Sequence, residues 1–358
     1  MKLNVLEFCL SPDLGGLELF LVSCYEHFKK HSNCKVLIAP DKKLDNYMQD
    51  IQKDYLKRSR LFLLPNAFKL AKYIDKNDID IIHFHWTKDM PLVVLGQVLS
   101  KKKPKIVQSR HMGMTRFKDD FYHKFLYKNI SLIHTVANKV KEQVQRYVPK
   151  DVCPQVEVVH PGTKAKTIEP LILENLKQKY SITDEFIVGI IGRIEDGKGQ
   201  HLVIEAVAKL KELNIKALIV GNVMDELYLD GLKAKLKEFD IEDKVIFTGF
   251  TKDVDAHMSL CDAVVLATEN ETFGLVVIEA MANKVCMIAT NRGGPLEIIE
   301  DGKDGLLFDR SSDELAKKIE LLYKDKDFKE KIAIGGYEKV DRMFNKDVQM
   351  QKLFDTIK

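Results

Sequence analysis

Residues 271–279 read Glu-Thr-Phe-Gly-Leu-Val-Val-Ile-Glu and follow a short apolar run at 263–268, Ala-Val-Val-Leu-Ala-Thr. The run is rich in β-branched residues and bounded by polar ones, which indicates a buried parallel strand. A loop follows at 269–272, and the apolar residues at 273–283 then recur at helical spacing. The segment therefore predicts a strand, a loop and a helix, with the helix N-terminus at the carboxyl end of the strand.

This predicted helix start offers an anion site flanked by two carboxylates. The main-chain amides of Gly274, Leu275 and Val276 have no partner within the helix and attract phosphate. Glu279 lies roughly 7 Å further along the helix axis, whereas Glu271 stays in the loop. One carboxylate can accept hydrogen bonds from a ribose diol while the other reaches a sugar hydroxyl, which suits a nucleotide-sugar. Two solvated glutamates at an ordinary strand–helix junction explain the spacing alone equally well.

Length and composition indicate two domains without disulfides. The 358 residues exceed one typical domain. The six cysteines are scattered and form no Cys-x-x-Cys pair, as expected in a reducing cytoplasm. No apolar run approaches the roughly 18 residues of a membrane span, and the short run at 1–10 is interrupted by Glu7, so it resembles a first strand. We therefore expect a cytoplasmic protein, either free or peripheral on the inner face of the cell membrane.

The two halves of the chain carry opposite charge. Residues 1–166 hold 29 Lys and Arg against 17 Asp and Glu, a net charge of +12, and residues 167–358 hold 27 against 36, a net charge of −9. The basic half predicts an anionic membrane surface or an anionic acceptor as partner, and no nucleic acid is expected. The densest basic run, at 101–105, fits a solvated helix end as well as a lipid contact.

Strand-like runs alternate with helical patterns throughout, which is the signature of parallel βαβ units. The predicted strands of the first half are 4–10, 36–40, 61–64, 79–85, 106–110, 132–136 and 156–160. Those of the second half are 186–191, 217–220, 245–247, 263–267, 286–289 and 305–308. The pattern predicts an α/β protein of two doubly wound domains, with ligands outside the carboxyl ends of the strands.

The regular pattern lapses at 162–171, which predicts a domain boundary there. We expect a first domain at 1–165, a second at 166–340, and a closing segment at 341–358. The closing segment contains a helix over 345–358, which in this fold would cross back to the first domain.

Glycine-containing turns follow the first strand of each half. In the turn at 192–199, glycines permit a tight bend, and Arg193 and Lys198 can converge on a diphosphate. The turn is neither a Walker A loop nor a dinucleotide motif. In the first half, Gly15 and Gly16 open a helix and would let main-chain amides approach a ligand. Surface turns that merely need glycine explain both motifs as well.

Histidines end two strands of the first half. His111 follows the fifth predicted strand and lies at the edge of the predicted site, where a lone histidine is more often structural. His83 and His85 are two residues apart and would share one face of the fourth strand. A metal site is not expected there, because no third ligand is obvious from the sequence.

In this order, the motifs resemble those of the retaining glycosyltransferases of the GT-B fold, specifically glycosyltransferase family 4, over most of the chain. The matching motifs are Gly-Gly-x-Glu at 15–18, Gly-Arg-x4-Lys-Gly at 192–199, Phe-x-Gly at 247–249 and Glu-x7-Glu at 271–279. The segments 290–297 and 301–308 resemble the closing motifs of the family. The resemblance implies two Rossmann-like domains with a cleft between them.

The resemblance also implies a role for each site residue. Arg193 and Lys198 would bind the diphosphate, Glu279 the ribose and Glu271 the donor sugar, with the base against the main chain at 248–252. From the first domain, the glycine pair would close over the diphosphate and His111 would lie near the anomeric centre. The implied donor-binding residues are Gly15, Gly16, Arg193, Lys198, Gly249, Phe250, Phe273, Gly274, Leu275, Val276 and Glu279, and the implied catalytic residues are His111, Arg193, Lys198 and Glu271.

The implied reaction moves a hexosyl or N-acetylhexosaminyl unit from a nucleoside-diphosphate sugar, UDP favoured over GDP, to a glycan or glycolipid acceptor. Lipopolysaccharide, capsule or another cell-surface glycan would be the product. The two cations would stabilise the leaving diphosphate, so no metal and no other cofactor is implied. A predicted helix at 115–128, which alternates aromatic and cationic residues, suits a glycolipid at an anionic surface, and equally suits packing on the sheet.

The chain departs from the family pattern at two places. Lys284 and Cys286 stand where family members usually have Gly and then Pro, so the end of the helix differs, and Pro161-Gly162 replaces Asn-Gly in the linker.

Two other functional classes stay open. A sugar-nucleotide epimerase could use the same nucleotide site but needs acid/base groups on both faces of the sugar. A non-catalytic nucleotide-sugar-binding module would not need His111 or Glu271.

Overall fold

The computed structural model describes residues 2–57 and 62–358 and divides the chain into two compact units. The first unit runs to Pro161 and also includes Asp347–Lys358, and the second unit is Gly162–Lys346. Each unit has its own parallel sheet and its own hydrophobic core.

The first unit contains a parallel sheet of order β3-β2-β1-β4-β5-β6-β7. Its strands are β1 Asn4–Cys9, β2 Asn33–Ile38, β3 Asp54–Tyr55, β4 Ile81–Phe84, β5 Lys105–Arg110, β6 Leu132–Thr135 and β7 Gln155–Val158. Its connecting helices are α1 Gly16–Phe28, α2 Lys43–Tyr47, α3 Leu63–Lys76, α4 Met90–Leu99, α5 Phe121–Lys128 and α6 Asn138–Tyr147. The order reverses between β1 and β4, and such a switch point is where doubly wound sheets bind ligands.

The second unit repeats this design with the order β10-β9-β8-β11-β12-β13. Its strands are β8 Phe186–Ile191, β9 Ile215–Val220, β10 Val245–Gly249, β11 Ala263–Leu266, β12 Cys286–Thr290 and β13 Leu306–Phe308. Its helices are α7 Pro170–Lys179, α8 Gln200–Lys209, α9 Glu226–Phe239, α10 Val254–Ser259, α11 Leu275–Ala282, α12 Pro295–Ile298, α13 Ser312–Lys324 and α14 Lys326–Met343. The switch point lies between β8 and β11. The prediction of two doubly wound α/β domains is confirmed.

The last helix, α15 Lys346–Ile357, packs on the first sheet. Its buried side chains Leu353 and Phe354 join Val5 and Phe28, and the rings of Phe28 and Phe354 lie 5.0 Å apart. Burial of these apolar groups holds the C-terminal helix in the first unit. Within the described residues, every helix is too short or too polar to cross a membrane.

Two predicted elements in the first half are wrong. Residues 63–64 of the predicted strand at 61–64 begin α3, because Ala67, Leu70 and Ile74 continue the apolar pattern at helical spacing; residue 61 lies outside the described residues. The edge strand is instead the two-residue β3, which is exposed. The helix predicted at 115–128 begins only at Phe121, where the Asp120 carboxylate accepts the His123 main-chain amide at 3.1 Å.

Lys284, two residues after the end of α11, lies in the left-handed region, with φ 57°. The amides of Lys284 and Val285 donate to the carbonyls of Met281 and Ala280, both at 3.0 Å, which is a Schellman motif that favours glycine at Lys284. Lys284→Gly is therefore expected to raise the free energy of unfolding by about 0.5–1 kcal/mol. Urea unfolding measures this change. Lys284→Ala removes the side chain without relieving the backbone, so an equal gain in both variants would contradict the explanation.

Candidate active site

The predicted donor loops of the second unit meet at the carboxyl edge of its sheet. The loop at 192–199 connects β8 to α8, and the loop at 267–274 connects β11 to α11. The main-chain amide of Glu269 donates to the carbonyl of Gly197 at 2.9 Å. Because β8 and β11 are neighbours at the switch point, this contact unites the two loops at the place where a doubly wound sheet binds its ligand.

Glycine at position 199 permits this close approach. Gly199 has φ 86°, and a Cβ added there would lie 2.5 Å from both the Cβ and the carbonyl oxygen of Ala267. Any larger residue would force the start of α8 away from the end of β11. The interpretation of this glycine as part of a tight turn is therefore supported by its surroundings.

The two cations of the first loop differ in their partners. Nη2 of Arg193 lies 2.9 Å from Oε1 of Glu195, and the Arg193 side chain is 60% exposed. Exposed pairs of this kind are weak, so a phosphate could replace the carboxylate. Lys198 is half-buried and has no ion-pair partner within residues 2–57 and 62–358. Its charge is therefore free to act on an anion.

The N-terminus of α11 is held by a second glycine turn. The helix begins at Leu275, two residues after the predicted start, because Gly274 takes φ 100°. In the described chain, the amides of Leu275 and Val276 have no main-chain acceptor. The amide of Gly294 donates to the carbonyl of Glu271 at 3.1 Å and supports the loop from the other side. This geometry is compatible with phosphate at the helix start.

The two glutamates of the Glu-x7-Glu motif have different environments. The Glu271 carboxylate accepts the amide of Thr272 at 3.1 Å, beside the loop's own main chain. Burial and repulsion from Asp255 raise the pKa of Glu279, and Lys166, which lies 2.5 Å from Asp255, only partly offsets this. The carboxylate of Glu279 has no hydrogen-bond or ion-pair partner within the described residues. A desolvated carboxylate without a partner can accept both hydrogen bonds of a diol.

The predicted base-binding segment begins at the end of β10. Gly249 closes the strand with φ 70°, and its carbonyl accepts the amide of Gly221 at 3.1 Å. Phe250 follows and is 72% exposed. Phe273, in the other loop, is buried. The roles predicted for these residues in donor binding stay predictions.

The first unit holds the remaining predicted residues. Gly15 precedes α1, and its amide donates to Oε2 of Glu18 at 2.8 Å; Gly16 is the first residue of that helix. His111 follows β5, and its ring packs against Phe20 with centroids 4.9 Å apart. Burial, then the neighbouring His85, lowers the pKa of His111 well below its usual value, so the ring is neutral. The joint roles predicted for these residues with the donor loops stay predictions.

Glu7, Cys24 and Arg310 also lie near these sites, and no role was predicted for them from the sequence. His83, in β4, and His85, just after that strand, both contact Glu7 of β1: the Glu7 carboxylate oxygens lie 2.8 Å from Nδ1 of His83 and 2.6 Å from Nε2 of His85. The expectation that no third ligand-type side chain is near is therefore wrong, and Cys24 is a fourth. Glu7 interrupts an otherwise apolar strand, which was the available signal. In the second unit, Nε of Arg310 donates to the carbonyl at Ala267 at 3.0 Å and adds a third cation at the sheet edge.

Two family models match most of the chain. Residues 173–339 match the model of glycosyl transferases group 1, and residues 7–137 match that of glycosyl transferase 4-like proteins. The chain belongs to the group 1 glycosyltransferases. The resemblance inferred from the sequence motifs is confirmed, and the protein is a transferase, which disfavours the epimerase alternative.

Solved structures show that this glycosyltransferase has the GT-B fold. A glycosyltransferase of Rickettsia africae superimposes with a TM-score of 0.89 at 21% identity, covering 99% of this chain and 98% of that one. HepE of Anabaena, solved in complex with UDP-glucose, gives a TM-score of 0.83 at 22% identity, covering 99% and 98%. The predicted fold class is confirmed.

One relative with a named biological role is similar to part of this chain. CapM of Staphylococcus aureus, a capsular polysaccharide biosynthesis glycosyltransferase, is 28% identical over 183 residues. The match covers 50% of this chain and 48% of CapM, so this glycosyltransferase matches about half the length of that relative.

Gly15→Ala is expected to keep the stability of this glycosyltransferase and to lower kcat/KM about tenfold. Gly15 is extended, with φ −152° and ψ −162°, and an added Cβ would lie at an ordinary 3.5 Å from Glu18. The turn itself therefore does not need glycine, and a methyl group would matter only where a ligand approaches the main chain. Thermal unfolding and donor turnover measure the two effects.

Gly294→Ala is the control for this prediction. A Cβ at Gly294 would lie 2.2 Å from the carbonyl oxygen of Phe273, so this variant should lose stability. Normal turnover by Gly15→Ala would contradict a role of Gly15 at the diphosphate.

Proposed function

We propose that the protein is a retaining glycosyltransferase that moves a hexosyl or N-acetylhexosaminyl unit from a UDP-sugar to a glycan or glycolipid acceptor in cell-surface glycan assembly. The donor is a nucleoside-diphosphate sugar bound mainly by the second unit. Neither a metal ion nor another cofactor takes part.

The observation that carries this proposal is the contact between the two donor loops. The 2.9 Å hydrogen bond from Glu269 to Gly197 brings the Arg193–Lys198 turn beside the loop that carries Glu271 and leads to Glu279. Cations for a diphosphate, helix amides for its distal phosphate and a carboxylate without a partner thus lie along one edge of one sheet. This combination of groups suits a nucleoside-diphosphate sugar. HepE, which has the same fold, was solved with UDP-glucose, and this favours UDP as the nucleotide.

The reaction breaks the bond between the anomeric carbon and the β-phosphate oxygen. An acceptor hydroxyl forms the new bond from the same face of the sugar, so the configuration is retained. The departing phosphate oxygen takes the proton of that hydroxyl. Arg193 and Lys198 stabilise the negative charge that grows on the diphosphate as the bond breaks.

The acceptor is a lipid-linked or polymeric saccharide. The first unit contains most of the basic half of the chain, with its net charge of +12 from 29 Lys and Arg against 17 Asp and Glu at 1–166. After His111, the segment at 112–122 exposes apolar side chains, among them Met112 at 71%, Phe117 at 61% and Phe121 at 89%. Aromatic groups among cations favour an amphiphilic, anionic substrate. The relative CapM is a glycosyltransferase of capsular polysaccharide biosynthesis, and this similarity also favours a saccharide acceptor in cell-surface glycan assembly.

A donor screen tests the proposal. The purified protein is incubated with UDP-, GDP-, ADP- and dTDP-sugars, and release of the nucleoside diphosphate is followed together with thermal stability. We expect one UDP-sugar to stabilise the fold and to be consumed faster when a lipid-linked saccharide is added than when the free saccharide is added. Both effects should disappear in Glu279→Ala. If no nucleotide-sugar binds or is consumed, the proposed function is wrong and a binding module for another ligand becomes the better explanation.

A further inference from the structure

A row of buried polar side chains crosses four strands of the first sheet. Glu7 of β1 contacts Nδ1 of His83 at 2.8 Å, and Nε2 of His83 contacts the Ser109 hydroxyl at 2.7 Å. The hydroxyl contacts Nδ1 of His134 at 2.6 Å, and Nε2 of His134 contacts the carbonyl of Val159 at 2.8 Å. Every side chain of the row has zero exposure. Polar groups so deeply buried are retained only when their hydrogen bonds are complete.

Counting protons shows that the row holds one more than its neutral groups supply. The carbonyl of Val159 only accepts, so His134 donates from Nε2 and, when neutral, accepts at Nδ1. Ser109 then donates to His134 and must accept from Nε2 of His83. At the other end, the carboxylate of Glu7 also only accepts, so His83 must donate from Nδ1 as well. Four hydrogen bonds need four protons, and two neutral imidazoles with one hydroxyl supply three.

Electrostatics place the additional proton on the pair of Glu7 and His83. Burial lowers the pKa of His134 to about 3, so that ring stays neutral. Burial alone would raise the pKa of Glu7, but the attraction of His83 and hydrogen bonds from His83 and His85 lower it. With Glu7 as the acceptor, the hydrogen-bond count then requires His83 to donate from both ring nitrogens.

The distances around Glu7 fit hydrogen bonds better than a bound metal ion. Glu7, Cys24, His83 and His85 each bring a ligand-type atom within 4.8 Å of the others. The Glu7 oxygens, however, lie 2.8 and 2.6 Å from the histidine nitrogens. Two ligands of a tetrahedral zinc ion at about 2.0–2.1 Å would be roughly 3.3 Å apart. The observed distances are those of hydrogen bonds.

Glu7 also fixes the protonation of His85. Nε2 of His85 lies 2.6 Å from the second carboxylate oxygen and must donate to it. Burial, with repulsion from His83, lowers the pKa of His85 to about 4, so the ring is neutral and Nδ1 carries a lone pair. That nitrogen is buried and has no hydrogen-bond partner within residues 2–57 and 62–358. His85 thus presents a buried acceptor that needs a donor.

His111 is the neighbour that can supply this donor. Its ring plane lies 25° from that of His85, the ring centroids are 5.9 Å apart, and Phe20 packs against both rings. Nε2 of His111 is likewise buried without a partner in the described chain. A rotation of the His111 side chain would satisfy both nitrogens at once.

We propose that Nε2–H of His111 donates to Nδ1 of His85, so that Glu7, His83 and His85 are positioning residues that leave the lone pair of His111 on Nδ1. His111 then meets its ligand as an acceptor, and the group it recognises is a hydroxyl, such as one on the donor sugar. The inference rests on the proposed function and on the place that the family resemblance implies for His111, near the anomeric centre of the donor sugar.

Nitrogen NMR of the histidines tests the proton count without any substrate. Spectra of 15N-labelled protein, assigned with single His→Gln variants, report which ring nitrogens carry protons. At neutral pH we expect two protonated nitrogens on His83 and only Nε2 protonated on His85, His111 and His134. A neutral His83, or a stoichiometric metal ion found by elemental analysis of the purified protein, overturns the count.

A matched pair of variants at His85 tests the positioning of His111. Asparagine places its amide near the position of Nδ1, whereas glutamine reaches the position of Nε2. His85→Gln keeps the contact with Glu7 but loses the acceptor for His111, so kcat/KM should fall about tenfold. His85→Asn keeps that acceptor and should lose less, and His111 Nε2 should stay protonated only in that variant. Equal activity of the two variants overturns the positioning role. If no donor is consumed at all, the proposed function fails, and the NMR result still decides the protonation of the row.

Discussion

Lys198→Ala is expected to lower kcat about 10²–10³-fold, with the free energy of unfolding within about 0.5 kcal/mol of the wild-type value. The half-buried ammonium has no ion pair or side-chain hydrogen bond within the described chain, so the substitution breaks no polar contact among those residues. In the proposed reaction, the leaving diphosphate carries more negative charge in the transition state than in the bound donor. The interaction with Lys198 is then stronger in the transition state, and its loss appears in kcat rather than in KM.

The matched control is Lys211→Ala, which removes an exposed lysine just beyond α8 and should leave both constants unchanged. Arg193→Ala should have a smaller effect than Lys198→Ala, because the guanidinium is 60% exposed and already paired with Glu195. Steady-state release of the nucleoside diphosphate gives the two constants. A Lys198→Ala enzyme with normal kcat and a raised KM would assign Lys198 to ground-state binding and contradict the catalytic role.

The sequence predicts the buried strands well because both of their faces are covered. β8 was predicted with its observed bounds, since Phe186–Ile191 is apolar at every position and a strand covered on both faces needs no alternation. The edge strand β3 was missed because its two residues, Asp54 and Tyr55, are exposed and polar and carry no hydrophobic signal. The apolar run at 61–64 predicts a strand, whereas residues 63–64 of that run belong to α3.

The candidate site is less accessible to sequence reasoning, because it depends on contacts between distant residues. The spacing of Glu271 and Glu279 was visible, but the lack of a partner for Glu279 depends on how Asp255 and Lys166 pair with each other. Glu7 and His83 are separated by 76 residues and meet only because β1 and β4 are adjacent in the sheet. A periodic pattern indicates which face a residue occupies, whereas it does not indicate which strand lies beside it.

Glu279→Gln is expected to stabilise the free enzyme and to weaken donor binding at the same time. The pKa of Glu279 is raised in the folded protein by burial and by Asp255. The folded state therefore favours the protonated form, and this contribution to stability is present below the unfolded pKa and lost as pH rises through the folded pKa. At neutral pH, well above the unfolded pKa of a glutamate, the buried carboxyl group therefore makes the fold less stable than it is in acid. Glutamine removes that charge, so Tm should rise at neutral pH, and the difference from wild type should shrink in acid.

Donor affinity should change in the opposite direction. A carboxylate accepts two hydrogen bonds from a ribose diol, and glutamine keeps one neutral acceptor, so the donor Kd should increase about 10–100-fold. Calorimetric titration with UDP measures the affinity and a thermal melt measures the stability. Glu238→Gln, at an exposed position of α9, should change neither. A Glu279→Gln protein that bound UDP normally would contradict the ribose contact, whereas a lower Tm at neutral pH would contradict the desolvated, partnerless state of the carboxylate. A higher Tm together with a weaker affinity for UDP is expected only if the Glu279 carboxylate is buried without a partner until a ligand binds.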